Sequence, residues 1–183
     1  SRHTEVTDRL VSRQEGVLAR GIIAAMVFRA LDESILWEII VDEGDRLTHG
    51  DEIGCFRGSV STLLTGERVA LNLIQRMSGI ATETARYIAE VAGTGVTILD
   101  TRKTMPGLRK LDKYAVRIGG GTNHRSGLFD AVLVKDNHIR AAGGLNNAVN
   151  NILQTRNEEL SIQVECDTLE QLEECIILGV DLV

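Results

Sequence analysis

Two short apolar runs in this sequence stop abruptly at charge, and the residues at those stops have the types that bind anions. Residues 96–99 are followed by Asp100, Thr101, Arg102 and Lys103, and residues 131–134 by Lys135, Asp136, Asn137 and His138. A run of Gly119, Gly120 and Gly121 leads into Asn123, His124 and Arg125, and a third apolar run ends at Glu165. Buried parallel strands that end in charged groups present them at the carboxyl edge of the sheet, where α/β proteins place their chemistry. Arginine forks match carboxylates with two hydrogen bonds, and lysine supplies a compact positive charge. Positions 101–140 hold nine Lys or Arg against three Asp, a net of +6 in a chain whose total is −6. So local a concentration in an acidic protein points to a pocket for a small anion, because a nucleic-acid surface needs a wider basic face.

The individual positions divide by their place in the pattern. Arg102, Lys103 and Lys135 follow strands directly, so they are candidate ligands. Lys110, Lys113 and Arg117 fall inside a helical segment and read as solvated helix charges. Adjacent residues on extended backbone point to opposite sides, so Arg102 and Lys103 are expected to serve two different ligands. Thr101 could cradle a ligand oxygen or close a turn. His124, beside Arg125, is disfavoured in its charged form and suits a hydrogen bond to a carboxylate better than acid catalysis. Glu165 reads either as a ligand group among cations or as a charge partner for Lys135 or Lys103. Asp136, Asn137 and His138 are expected to hold the loop that orients Lys135.

The elements that must position these groups change character along the chain. The first ten residues carry no strong local signal, and residues 9–20 include a strand-like stretch with Gly16 at a turn. A short helix is expected over 22–31 and strands over 35–41 and 51–57, together an α+β unit. Over 66–91 the period becomes helical, with Val69, Leu73, Met77, Ile80, Thr84, Ile88 and Val91 on one face and Gly79 as a break between two helices. Beyond it strands and helices alternate: strand 96–100, helix 108–118, strand 131–135, helix 145–155, strand 161–165 and helix 169–178. Thr168 and Gln171 form a capping box, Gly179 stops that last helix, and residues 180–183 begin another strand. Repeated βα units of this length fit a parallel barrel cut partway round. The expected domains are therefore an N-terminal α/β sandwich-like α+β domain with its helical connector over 1–93, and the first part of a TIM-like α/β barrel over 94–183. An open parallel edge is what intact proteins avoid, so the chain is read as truncated, and inactive by itself.

Composition narrows the class further. The 183 residues are 43% hydrophobic and 25% charged, ordinary for a globular protein. No apolar run approaches the roughly 18 residues that span a bilayer, and no basic-then-apolar leader is seen at Ser1. Cys55, Cys166 and Cys175 lack Cys-x-x-Cys spacing and read as free thiols in a reducing cytoplasm. No partnership with nucleic acid or membrane is expected.

The motifs TRKTMPGLR, KYAV, GGGTNHR and KDNHI, in that order and spacing, resemble quinolinate phosphoribosyltransferase, the carboxylating nicotinate-nucleotide pyrophosphorylase. The resemblance extends over GERVALNLIQRMSGIAT upstream and QVECDTLEQLEE downstream. It implies an enzyme of NAD biosynthesis that joins quinolinate to phosphoribosyl pyrophosphate, releasing pyrophosphate and carbon dioxide and leaving nicotinate mononucleotide. It assigns quinolinate binding to Arg102, His124, Arg125 and Lys135, with Arg68 contributed across the interface of a homodimer or larger homo-oligomer. Without the resemblance, Arg68 is simply an arginine near a helix start. The resemblance further places Lys103 at the phosphoribosyl substrate and gives Glu165 a ribose or Mg²⁺ contact. Lys103, Lys135 and Glu165 are the catalytic candidates, and Mg²⁺, arriving with phosphoribosyl pyrophosphate, is the implied cofactor.

Other readings remain open at this point. A molybdenum-transport-type paralogue or another anion-binding barrel without this activity would share the fold. A lysine ending a barrel strand could also form a Schiff base with a carbonyl substrate.

Overall fold

A computed structural model describes residues 4–127, 130–155 and 160–183. The chain divides into two units, Ser1–His124 and Arg125–Val183.

The first unit is built on an antiparallel sheet in the order β1-β5-β3, formed by Glu5–Val11, Glu52–Ser59 and Leu36–Ile39. Two short strands, β2 (Gly16–Val17) and β4 (Arg46–Leu47), pair separately. The first strand begins at Glu5, where the sequence carries little signal. Most of its residues are exposed, so no apolar alternation marks it. Its position is set by pairing, from Glu5 opposite Ser59 to Val11 opposite Glu52. Phe56 on β5 stacks on Trp37 of β3 with centroids 3.9 Å apart and meets Phe28 of α1 (Ile22–Leu31) edge-on at 4.5 Å. These rings join sheet and helix into one apolar core, with geometry that favours aromatic pairs beyond area alone.

A single helix of 31 residues, α2 (Val60–Glu90), crosses this unit. Gly79 does not break it: the backbone continues as helix, and a Cβ there would face open space beyond the helix's own backbone. The start lies at Ser59, whose hydroxyl accepts a hydrogen bond from Thr62 N at 3.1 Å. Arg68 is therefore well inside the helix rather than at its start. The buried face overlaps the expected one at Met77 and Thr84, with Leu73 and Ile80 packed against the core, but is shifted toward small residues. Leu63, Gly66, Ala70, Ile74, Met77, Ala81 and Thr84 are buried, whereas Val69 is 53% exposed. The reason is steric. A Cβ on Gly66 would lie 2.6 Å from the Phe28 ring, so small residues let α1 approach where a larger apolar side chain would hold it off.

Helix α3 (Arg109–Ile118) packs on the far half of α2. The three glycines that follow it are a packing device. A Cβ on Gly119 would collide with the Ala81 carbonyl, and one on Gly121 would come within 2.9 Å of the Thr84 methyl. Gly120 between them has φ +90°, a conformation that glycine adopts without steric cost. The strand expected over 96–100 is reduced to an isolated parallel bridge between Leu99 and Thr122. Val96 and Leu99 are 58% and 49% exposed, so this stretch lacks the burial on both faces that sustains a parallel strand.

The second unit contains β6 (Val132–Val134) and β7 (Ile162–Val164), paired in parallel from Val132 opposite Ile162 to Val134 opposite Val164. Gln163 bridges in parallel to Leu182, which is all that forms of the strand expected over 180–183. Helices α5 (Leu145–Thr155) and α6 (Leu169–Leu178) supply Leu145, Ala148, Val149 and Cys175 to a core with Val134, Ile162 and Val164. The expected capping box is present, with Gln171 N donating to Thr168 Oγ1 at 3.3 Å, and Gly179 ends α6 at φ +69°. An additional helix, α4 (Asp136–Ala141), begins directly after Lys135, where a loop was expected. Its six residues bury no side chain, so the hydrophobic period that reveals longer helices is missing. Among the described residues the architecture is mixed α/β, and the parallel strands form no closed barrel.

Candidate active site

Asp100, the last residue before the first basic cluster, is the centre of a buried polar network in the first unit. Its Oδ1 accepts from Lys113 Nζ at 2.5 Å and from the His124 backbone N–H at 2.8 Å. Its Oδ2 accepts from Asn123 Nδ2 at 2.6 Å. Lys113 also donates to the His124 carbonyl at 2.8 Å, and Asn123 donates to the Lys113 carbonyl, again at 2.8 Å. The expectation that Lys113 is a solvated helix charge is therefore wrong. Its side chain is 7% exposed and that of Asp100 5%. A lysine is buried this deeply only when paired and hydrogen-bonded.

A second ion pair supports the loop after Lys103. Arg76 on α2 grips Asp112 with two hydrogen bonds, Nε to Oδ1 at 2.8 Å and Nη2 to Oδ2 at 2.7 Å. Asp112 Oδ2 also accepts from Met105 N at 3.1 Å. Burial by itself would raise the Asp112 pKa, but the Arg76 fork and the Met105 N–H outweigh it and hold this carboxyl below its ordinary value. Arg109 adds a hydrogen bond from Nε to Thr104 Oγ1 at 3.1 Å.

Within this frame Thr101, Arg102 and Lys103 differ. Thr101 Oγ1 accepts from Lys103 N at 3.1 Å, so the hydroxyl closes a local turn. Arg102 is half-buried and Lys103 exposed, consistent with side chains that diverge. The Arg102 Nε is buried without a hydrogen-bond partner among the described residues. A buried guanidinium nitrogen lacking an acceptor is costly, and a carboxylate oxygen would satisfy it. Arg68 is exposed on α2 and lines a cavity of about 1170 Å³ between α2 and the strands β1 and β5.

In the second unit Arg125 Nη1 donates to the Ala131 carbonyl at 3.3 Å. Lys135 Nζ lies 3.0 Å from Glu165 Oε2, the two being 43% and 54% exposed. They end the paired strands β6 and β7, so the parallel register alone sets them side by side. Glu165 is thus a charge partner of Lys135. His138 Nδ1 accepts from the Lys135 backbone N–H at 3.0 Å and His138 N donates to the Lys135 carbonyl at 2.9 Å, which fastens the first turn of α4 to the strand end.

Comparison with known proteins decides the family. The description "Quinolinate phosphoribosyl transferase, N-terminal domain" matches residues 1–78, and "Quinolinate phosphoribosyl transferase, C-terminal domain" matches residues 80–183. The chain belongs to the quinolinate phosphoribosyl transferase family. It is 45% identical over 175 residues to the "Probable nicotinate-nucleotide pyrophosphorylase [carboxylating]" of Synechocystis, covering 96% of this chain and 59% of that protein. Against the chloroplastic nicotinate-nucleotide pyrophosphorylase of Arabidopsis thaliana it is again 45% identical, covering 94% and 50%. The crystal structure of NadC from Streptococcus pyogenes matches with a TM-score of 0.92 at 40% identity, covering all of this chain and 65% of that one. The chain thus spans about 50% to 60% of the length of these curated relatives.

The family's motif residues found in the sequence lie at the strand ends and loops just described. The residues that hold them, Asp100, Lys113, Asn123 and the Arg76–Asp112 pair, carry no supporting role in the sequence reading. The available signal was weak: Asp112, Ala115 and Gly119 recur at helical spacing on the packed side of α3, which should have placed its charged members under suspicion of burial.

Proposed function

We propose that the complete protein transfers the phosphoribosyl group of phosphoribosyl pyrophosphate to quinolinate, with decarboxylation, yielding nicotinate mononucleotide, pyrophosphate and carbon dioxide. The observation that carries this reading is the buried Arg102 Nε without an acceptor among the described residues, within the TRKT motif (101–104) in a chain of this family. Arg102, His124, Arg125 and Lys135 are assigned to the two quinolinate carboxylates, with Arg68 supplied by the other subunit of a homodimer or larger homo-oligomer. Lys103 is assigned to the phosphoribosyl substrate, and Thr101 contributes its turn. The barrel architecture belongs to the same proposal, as does a division into domains at residues 93 and 94. So does a cytoplasmic location. Among the described residues no helix is long and apolar enough to cross a membrane.

The reaction asks for positioning and charge neutralisation more than for acid–base catalysis. The pyridine nitrogen attacks C1 of the ribose as the bond to pyrophosphate breaks. Loss of carbon dioxide from the adjacent ring carbon leaves its electron pair beside the cationic nitrogen, and a proton from water completes the product. Lys103 and Lys135 lower the repulsion between two anionic substrates and stabilise the departing charge.

Mg²⁺ would neutralise pyrophosphate charge. Glu165, an exposed carboxylate oxygen donor, has the chemistry to hold it, since Mg²⁺ takes one or two protein carboxylates along with phosphate oxygens.

A Schiff base at Lys135 would require breaking its 3.0 Å contact with Glu165, which disfavours that role. Incubating the complete protein with quinolinate, phosphoribosyl pyrophosphate and Mg²⁺, and measuring carbon dioxide and nicotinate mononucleotide, tests the proposal. Absence of both products, with the protein folded, would overturn it.

A further inference from the structure

We infer that the buried Asp100–Lys113 pair is a positioning device that locks the His124 backbone and the Thr101–Lys103 turn into one geometry for carboxylate recognition. The inference rests on the functional reading above and extends it to residues with no assigned role.

The geometry is specific. The backbone N–H of His124 is held by Asp100 and its carbonyl by Lys113, so both polar groups of that residue's main chain end on a single ion pair. The same carboxylate belongs to the residue immediately before Thr101 and Arg102. Asn123 ties Asp100 Oδ2 to the carbonyl of Lys113, closing the network on itself. Every oxygen of the Asp100 carboxylate is thereby used, and the pair anchors two chain segments more than twenty residues apart.

A pure stability role explains this arrangement poorly. Desolvating both charges consumes most of what their attraction returns, and apolar replacement of such a pair is often neutral or stabilising. What apolar side chains cannot do is hold an N–H and a C=O in fixed directions. Carboxylate recognition by arginine and histidine depends on angles as well as charge, so a loosened His124 main chain should cost affinity without costing fold.

The test uses the complete protein and three variants: Asp100→Leu, Lys113→Met, and both together. Each single variant leaves a buried charge unpaired and should lower the melting temperature. The double variant should recover most of that loss. Its quinolinate dissociation constant, measured by calorimetry, should nevertheless rise by about tenfold or more, the scale of one lost charged hydrogen bond. Amide hydrogen exchange in the peptide containing His124 should become faster by a similar factor.

A double variant that melts near the parent, binds quinolinate with parental affinity and keeps His124 protected would overturn the inference. So would a double variant that cannot fold, since the pair would then be a stability element. Should the parent itself not bind quinolinate, the functional reading fails, and the His124 exchange rate still decides whether the pair locks this backbone.

Discussion

At the scale of single residues, the site candidates divide into groups that are satisfied within the protein and groups that are not. Lys135 and Glu165 answer each other at 3.0 Å, whereas the buried Arg102 Nε has no acceptor among the described residues. Arg102→Ala in the complete protein should therefore weaken quinolinate binding by about 1.5–3 kcal/mol, the cost of a lost charged hydrogen bond, with little change in melting temperature. Equilibrium binding of quinolinate checks this, and unchanged affinity would remove Arg102 from the site. Nicotinate, which has one carboxylate fewer, should turn over far more slowly, because a site built for two leaves cationic donors unpaired. Comparable kcat/KM for the two acids would contradict the assignment. The cysteines allow a separate check. Burial, together with the hydrogen-bonding neighbour Cys166 3.6 Å away, raises the Cys175 thiol to about 12. Alkylation of the native protein near pH 8 should label the half-buried Cys55 well before Cys175, as peptide mass spectrometry would reveal.

At the scale of elements, close approach is achieved by small residues. Helix α2 meets α1 through Gly66 and meets the end of α3 through Ala81 and Thr84, opposite Gly119 and Gly121. Gly121→Val should cost about 1–3 kcal/mol by overpacking, because Val116 and Thr84 leave no room for the added carbons. Denaturant unfolding would measure that loss. Because this loop leads into Asn123 and His124, quinolinate affinity should fall along with stability. The apolar period over 66–91 marks a helix and most of its buried face, with Met77 and Thr84 buried and Leu73 and Ile80 packed on the core, but it includes the exposed Val69 and passes over the small residues Gly66, Ala70 and Ala81. Capping chemistry is more local and was read correctly in α6. Thr168→Ala should destabilise that helix by about 1 kcal/mol, again measurable by denaturant.

At the scale of the whole molecule, the dominant features are two separately cored units and an acidic chain with a basic stretch over residues 101–140. Resistance of the first unit to acid depends partly on Asp112. Its carboxyl is held below the ordinary value in the folded state, so its contribution to stability is fully present above the unfolded value of about 3.9 and is lost as pH falls through the folded value. Stability should therefore decline below about pH 4 more steeply in the parent than in Asp112→Asn, whose baseline is lower but flatter. Denaturant midpoints taken from pH 7 down to pH 3 would register the difference. Parallel slopes would show that Asp112 does not contribute.

Local chemistry sufficed for much of this protein. Turn residues, the α6 cap and the apolar period of the longer helices act within a few positions of themselves, so the sequence by itself determined α1, α3, α5, α6 and the strand cores at 132–134 and 162–164. Motif order did the same for family membership, because several long motifs in one sequence rarely coincide by chance. Tertiary structure alone decided that Lys113 is buried against Asp100, that Arg76 holds Asp112, that α2 runs unbroken past Gly79, and that β1 exists at all. Each of these depends on partners dozens of residues away. A lysine carries no mark in its own neighbourhood of the carboxylate that will bury it, and an exposed strand takes its identity from the strand that pairs with it.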